Sequence, residues 1–299
     1  MVLASFAADS LALGVHWIYN THVIDKKFGR VENFMKPERP TYHPTKDRGA
    51  FTHYGDQTLT LLESVTECQG FNLSDFSERW LKLFENYTGY VDGATKGTLE
   101  NLTAGKSPSE SGSGSDDLAG ASRIASLVYC YRNDLQKLIA SAKAQTAFTH
   151  NNSQVIESAA FFATVAHRTL AAASLREAIA QAEKDADLSD PFKEWIRMGL
   201  ESADRNTRQT ILDFGQMCET AAAFPAVIHL IAKYENDLKA ALVENVMAGG
   251  DSAGRGLLVG LVLGAHLGME AIPPQWLKDM QAYSQIVDML ATIDKSRGF

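Results

Sequence analysis

The chain has 299 residues, 45% of them hydrophobic and 21% charged, with a formal net charge of -8. Such a length buries a substantial core, and an acidic balance with no basic run excludes the clustered Lys and Arg that nucleic-acid binding needs. Cys68, Cys130 and Cys218 are far apart and form no CxxC pair, so they read as thiols of a reducing compartment, not as a disulfide framework or a zinc site.

Met1 to Gly14 is apolar, but it has no basic n-region and Asp9 interrupts the run, so it reads as a buried helix over 2–14 and not as a signal peptide. The expected location is the cytoplasm. A buried acid is costly unless paired or ligand-bound, so Asp9 is either a structural acid bonded to neighbouring backbone or part of a site. His16-Trp17 follows, either as capping aromatics or with His16 as a ligand. Residues 20–55, with Pro37, Pro40 and Pro44, are predicted to be non-helical and to wrap the surface. Gly49 to Thr58 then turns into a helix over 56–69, where Asp56 is an N-cap or an acid facing Asp251 across a cleft.

Further helices are predicted over 74–87, opened by Ser74 with Asp75 and Glu78, and over 92–103. Gly105 to Asp117 has linker composition and reads as a flexible loop at about 104–117 inside a single domain, 1–299. Its adjacent acids, Asp116 and Asp117, read as solvated. Helices follow over 118–131 and 134–146, then the polar turn Thr149-His150-Asn151-Asn152, then helices over 152–171, 174–185, 190–203, 206–214, 219–233 and 236–247. Pro191 sits where a helix start tolerates a missing N–H. Gly249-Gly250-Asp251-Ser252 opens a helix over 252–268, and a last helix covers 275–290. Gly256, Gly260, Gly264 and Gly268 recur every fourth residue, on one face, so this helix is built for close packing. The apolar segment Gly256 to Met269 is too short for a bilayer core of roughly 30 Å, so no membrane partner is expected. No sustained alternation of period two occurs, and the fold class is all-α.

Acids at several helix starts, with no GxSxG nucleophile motif, favour carboxylate or metal chemistry over acyl transfer. Asp9-Ser10-Leu11-Ala12, Gly55-Asp56-Gln57-Thr58, Arg123-Ile124-Ala125, Thr149-His150-Asn151, Phe224-Pro225-Ala226, Gly249-Gly250-Asp251 and Gly264-Ala265-His266-Leu267-Gly268 with Ile272-Pro273 occur in an order that resembles the ADP-ribosylglycohydrolase family. The resemblance spans nearly the whole chain. It implies a compact orthogonal multi-helix bundle with a central cleft that, in active members, holds two magnesium or manganese ions beside a glycosidic bond of ADP-ribose.

Departures from that family fall on the metal ligands. Gly55-Asp56-Gln57-Thr58 stands where the family has Thr-Asp-Asp-Thr, and Gly249-Gly250-Asp251-Ser252-Ala253-Gly254 where it has Gly-Gly-Asp-Thr-Asp-Thr. The glutamate that closes the family's first motif falls at about His16, and its Gly-Asn-Gly loop is missing ahead of Arg123. Two lost carboxylates make a dinuclear site unfavourable, since hard ions depend on anionic oxygen ligands. The expected cofactor is at most one magnesium or manganese ion on Asp56, Asp251 and Ser252, with His16 drawing preference toward zinc. A metal-free cleft is the equal alternative. By the same resemblance Asp56 and Asp251 are the catalytic candidates. Asp9, His150, Asn151, Gly249, Gly250 and Arg255 are the substrate-binding candidates. The implied partner is a small-molecule or ADP-ribosylated substrate, and the two functions left open are a glycosidic-bond hydrolase and an inactive member that binds an ADP-ribose-like ligand. Nothing in the sequence signals an oligomeric state.

Overall fold

A computed structural model describes residues 1–171, 174–186 and 188–298. In chain order the longer helices are Val2–Leu13, Thr21–Phe28, His53–Glu67, Leu73–Glu85, Gly93–Thr103, Leu135–Thr149, Ser153–Thr169, Leu175–Asp185, Asp190–Glu201, Thr207–Phe214, Thr220–Lys233, Leu238–Met247, Ser252–Leu267 and Tyr283–Arg297. The described residues contain no strand; two isolated bridges join Ser113 to His150 and Asp117 to Glu219.

The centre of the molecule is the pairing of Val2–Leu13 with Ser252–Leu267. Every residue of the first helix is buried, as are Ser252 to Gly264 of the second. Glycine makes this pairing close: a Cβ at Gly260 would lie 2.4 Å from the Ala4 carbonyl oxygen. Two polar links tie the helices, with the Met1 ammonium donating to Gly264 O at 3.1 Å and Ser5 Oγ to Leu257 O at 2.8 Å. The two helices run antiparallel, so the end of the first lies beside the start of the second, and the site is assembled there.

Several predicted boundaries are corrected. Within 20–55 the structure has the helix Thr21–Phe28, because Asn20 accepts from His22 N at 3.0 Å and Gly29 takes φ 67° to end it. The next helix begins at His53 with Thr52 as its cap, so Asp56 lies in the first turn and is not an N-cap. Asn72, not Ser74, caps Leu73–Glu85. The predicted helix 118–131 is broken at Arg123-Ile124 into Ala119–Ser122 and Ala125–Cys130, and 275–290 is broken into Pro274–Asp279 and Tyr283–Arg297. The 104–117 segment is tied back at its end: Ser113 N donates to Thr149 O at 3.0 Å, Asn151 N to Ser113 O at 2.7 Å, and Leu118 N to Cys218 O at 2.9 Å. Among the described residues no helix is long and apolar enough to cross a membrane.

Candidate functional site

Gly249 and Gly250 take φ 72° and 67°, and a Cβ at Gly250 would lie 2.1 Å from Gln216 O, so only glycine fits the turn. The turn is stitched to the end of the N-terminal helix by Trp17 N to Gly250 O and Gly250 N to Ile18 O, both 3.0 Å. Arg255 clamps it from within. Its Nη2 donates to Gly249 O at 2.6 Å, Nη1 to Gln216 O at 3.3 Å and Nε to Asn245 Oδ1 at 3.1 Å. The guanidinium is fully buried, which lowers its pKa to about 10, and its three bonds go to Gly249, Gln216 and Asn245. Asp251 caps the helix by accepting from Gly254 N at 3.5 Å and is 1% exposed. Burial raises its pKa, partly offset by the Arg255 charge. Ser252 Oγ is buried without a hydrogen-bond partner among the described residues.

Above Asp251 lies a stack of imidazoles. His16 Nε2 is 3.5 Å from Asp251 Oδ1, and its Nδ1 accepts from Ala253 N at 3.4 Å. His43 follows at a ring-centre distance of 5.4 Å from His16, and His53 at 5.6 Å from His43, with Trp17 4.5 Å from His16. Burial lowers the pKa of His43 to about 3 and that of His16 well below its ordinary value, with neighbouring imidazoles adding to both shifts. His43 is thus folded in neutral and protonates on unfolding. A depressed histidine pKa stabilises the fold above the unfolded value of 6.5, and that stability is lost as pH falls toward about 3. Replacing His43 with Gln should thus flatten the acid limb. Relative to the variant, the parent should lose about 2 kcal/mol between about pH 6.5 and about pH 5. Urea unfolding of both proteins at the two pH values measures this; parallel curves would remove the role assigned to His43.

Asp9 and Asp56 are held separately. Asp9 is fully buried and accepts from Thr52 N at 2.7 Å and Thr52 Oγ1 at 2.6 Å. Burial lifts its pKa to about 6 despite these bonds, and the charge of Asp56 adds to the rise. Asp56 faces Lys46 and Tyr87, not Asp251: the ammonium and the phenol hydroxyl both donate to Oδ2. Gln57 points inward, its Oε1 accepting from Trp80 Nε1 and Arg123 Nη1, both at 2.8 Å. The residues present do not fit the family's two-ion centre. One acid already carries an ammonium, the amide oxygen that replaces the second acid is spent on Trp80 and Arg123, and no three His, Cys, Asp or Glu among the described residues are arranged to hold an ion.

A different pair of acids lines open space. A cavity of about 450 Å³ is bounded by Trp17, Tyr90, Asp92, Asp116, Asp117 and Glu219, among others, with no Lys or Arg among the described residues lining it. Consecutive residues at one helix start hold two of these acids. His53 Nε2 lies 3.2 Å from Asp92 Oδ2, and Tyr54 OH donates to Asp117 Oδ2 at 3.1 Å. Asp92 also caps its own helix, accepting from Thr95 N at 2.6 Å. Burial pushes its pKa up, but the His53 contact and the Thr95 N–H outweigh burial and hold it below the usual carboxylate range. Asp117 goes the other way. Burial first, and then the like charge of Asp251, raise its pKa well above normal, although Ala119 N donates to Oδ1 at 2.8 Å.

The structure thus brings together His16, Asp251, Ser252, Gly249, Gly250 and Arg255 at one helix start, and places Asp9 and Asp56 around the start of another. His150 is buried with Nδ1 2.9 Å from Thr149 Oγ1, and burial lowers its pKa to about 3. Asn151 is exposed on the surface side of that turn. Sequence reasoning missed Asp92, Lys46, His43 and Tyr87, and took Asp117 for a solvated acid, whereas it is 8% exposed. The available signal was positional: Asp92 stood at a predicted helix start, and Asp117 one residue ahead of another.

Residues 1–297 match the family described as ADP-ribosylglycohydrolase. The chain is 24% identical to crystallin J1A of Tripedalia cystophora over 314 residues, covering 98% of this chain and 95% of that one. It is 23% identical to the ADP-ribosylhydrolase ARH3 of Gallus gallus over 209 residues, covering 60% of this chain and 57% of the relative. A solved structure described as an ADP-ribosylglycohydrolase-related protein complex superposes with a TM-score of 0.76 at 22% identity, covering 98% of this chain and 95% of that one. The all-α bundle expected from the sequence is the fold of that structure.

Proposed function

The chain belongs to the ADP-ribosylglycohydrolase family, and from that premise we propose that it hydrolyses a glycosidic bond of an ADP-ribosyl or related nucleoside substrate without a divalent ion. The observation that carries this reading is the holding of Asp92 and Asp117 by the adjacent His53 and Tyr54, on the wall of one cavity and with their pKa values pushed in opposite directions. Two carboxyl groups whose surroundings push their pKa values apart make an acid and a base at one pH. Asp117, whose pKa is raised by burial and by Asp251, is the proton donor of the pair and gives its proton to the leaving-group atom as the bond to the anomeric carbon breaks. Water attacks that carbon, and the Asp92 carboxylate takes the proton the water releases. The ring faces of Trp17 and Tyr90, 4.9 Å apart at 79°, supply flat apolar walls for a sugar or base. A wall of acids repels phosphate, so the reacting end of the substrate is uncharged or cationic.

Asp117→Asn and Asp92→Asn are each expected to lower kcat about 100-fold on nucleoside-type N- and O-glycosides while leaving circular dichroism unchanged. EDTA should leave turnover untouched. The alkaline limb of the pH profile belongs to Asp117, and Asp251→Asn should move it to lower pH, because the like charge that raises the Asp117 pKa is gone. Parent-like rates in both acid variants would end this reading. The burial of Asp9 and Asp251 supports a second one, in which the family's cleft binds an ADP-ribose-like ligand without turnover. Calorimetric binding of ADP-ribose with no hydrolysis of arginine-, serine- or acetyl-linked substrates would favour it.

A further inference from the structure

The segment between Phe28 and His53 supplies three side chains to the two helix starts. Thr52 binds Asp9 through N and Oγ1 at 2.7 and 2.6 Å. His43 stands between His16 and His53, at 5.4 and 5.6 Å. Lys46 reaches Asp56, where its ammonium shares Oδ2 with the Tyr87 hydroxyl, both partners of the ion pair being 16% exposed. This is the most enclosed lysine–carboxylate pair among the described residues; the other lysine pairs are largely solvated. The family resemblance puts a divalent ion at Asp56, yet Oδ2 of that carboxylate already takes one cationic and one neutral donor.

We propose that Lys46 is this chain's own cation at the Asp56 position, and that it excludes a divalent ion there. The inference deepens the metal-independent reading above and rests on it for the function of the site. The physical case is one of charge and access. Asp9 and Asp56 are close enough for the charge of one to raise the pKa of the other, so their neighbourhood needs a positive charge when both ionise. The lysine provides it from within the chain, at no cost in ion dehydration. A divalent ion on the same oxygen would be pressed against an ammonium with little water between them to screen the repulsion. The amide of Gln57 adds no anionic oxygen, since its Oε1 is taken by Trp80 and Arg123. Lysine suits this task better than arginine, being a compact point charge on a flexible stem.

The test reads metal binding and not turnover, so failure of the hydrolase reading and failure of this one are separate results. The parent, Lys46→Gln and Lys46→Gln/Asp56→Asn are melted with and without millimolar Mn²⁺, and each is titrated with Mn²⁺ by calorimetry. The parent is expected to show no Mn²⁺-dependent change. Lys46→Gln is expected to gain a melting-temperature rise of about 2–4 °C, lost again in the double variant. The proposal is overturned if the parent binds Mn²⁺ and Asp56→Asn abolishes that binding, or if folded Lys46→Gln does not respond to Mn²⁺. Should Lys46→Gln fail to fold, Tyr87→Phe decides beside the parent: with the lysine still in place it must stay unresponsive, and a Mn²⁺-dependent rise in it overturns the proposal.

Discussion

Arg255→Met is expected to destabilise the fold by about 3–5 kcal/mol, the largest loss foreseen for any single substitution considered for this chain. The side chain is fully buried and donates to Asn245 Oδ1, Gln216 O and Gly249 O. Methionine fills similar volume but leaves Asn245 Oδ1 and Gly249 O without their donors, each costing on the order of 1 kcal/mol or more, while Gln216 O keeps only the Asp251 N–H. It also removes the charge that opposes the burial-driven rise of the Asp251 pKa, so that carboxyl becomes still harder to ionise. The glycine turn would be the first element to loosen, because Gly249 O and Gln216 O are the points at which the guanidinium grips it. Urea unfolding at neutral pH measures the loss. If Arg255 instead received an anionic group of a substrate, as the sequence suggested, the variant would keep nearly parental stability and lose only ligand affinity.

Gly260→Ala is expected to cost about 3 kcal/mol and to lower the melting temperature by roughly 6–10 °C. In an ordinary helix interior the same change stabilises by about 0.5–1 kcal/mol, since alanine is the better helix former. Here the added methyl would lie 2.4 Å from Ala4 O, 2.8 Å from Ala4 C and 2.9 Å from Ser5 Cα, all backbone atoms that have no rotamer to move away. Gly256→Ala is the internal comparison. Its methyl would meet Asn245 Nδ2 at 3.1 Å and Ala8 Cβ at 3.4 Å, contacts that yield with small shifts, so its cost should be much smaller. Equal effects at the two positions would mean that the helix pair separates as a unit, without the local contact that sets the Gly260 position.

What was legible in the sequence is what is local or periodic. The glycine spacing along Ser252–Leu267 gave a close-packing helix face, because one face of a helix is a property of spacing alone; which helix packs there was not given by spacing. Gly249-Gly250 gave a turn with Asp251 as the cap, and the structure has that turn and that cap. Helix ends went wrong where the deciding group was a short polar side chain just outside the apolar pattern, as with Thr52 ahead of His53 and Asn20 ahead of Thr21. Both bond the backbone two residues on, a contact that leaves no mark on hydrophobic periodicity.

The candidate site divides in the same way. That Asp56 and Asp251 stand near helix starts and that Asp9 lies inside an apolar helix was readable, and so was the loss of family carboxylates at Gln57 and Ala253. What each acid touches was not. Lys46 reaches Asp56 across ten residues of irregular chain, Thr52 reaches Asp9 across forty-three, and Arg123 meets Gln57 across sixty-six. The sequence by itself determined the all-α class, a glycine-faced helix built for close packing and the glycine turn, because these follow from periodicity and from φ values that only glycine adopts freely. Only the tertiary structure decided which acids are paired, which way their pKa values shift and which face a cavity. Those properties are set by burial and by charges brought from distant parts of the chain: the pKa of Asp92 is held down by His53 and the Thr95 N–H, whereas that of Asp117 is pushed up by burial and by Asp251.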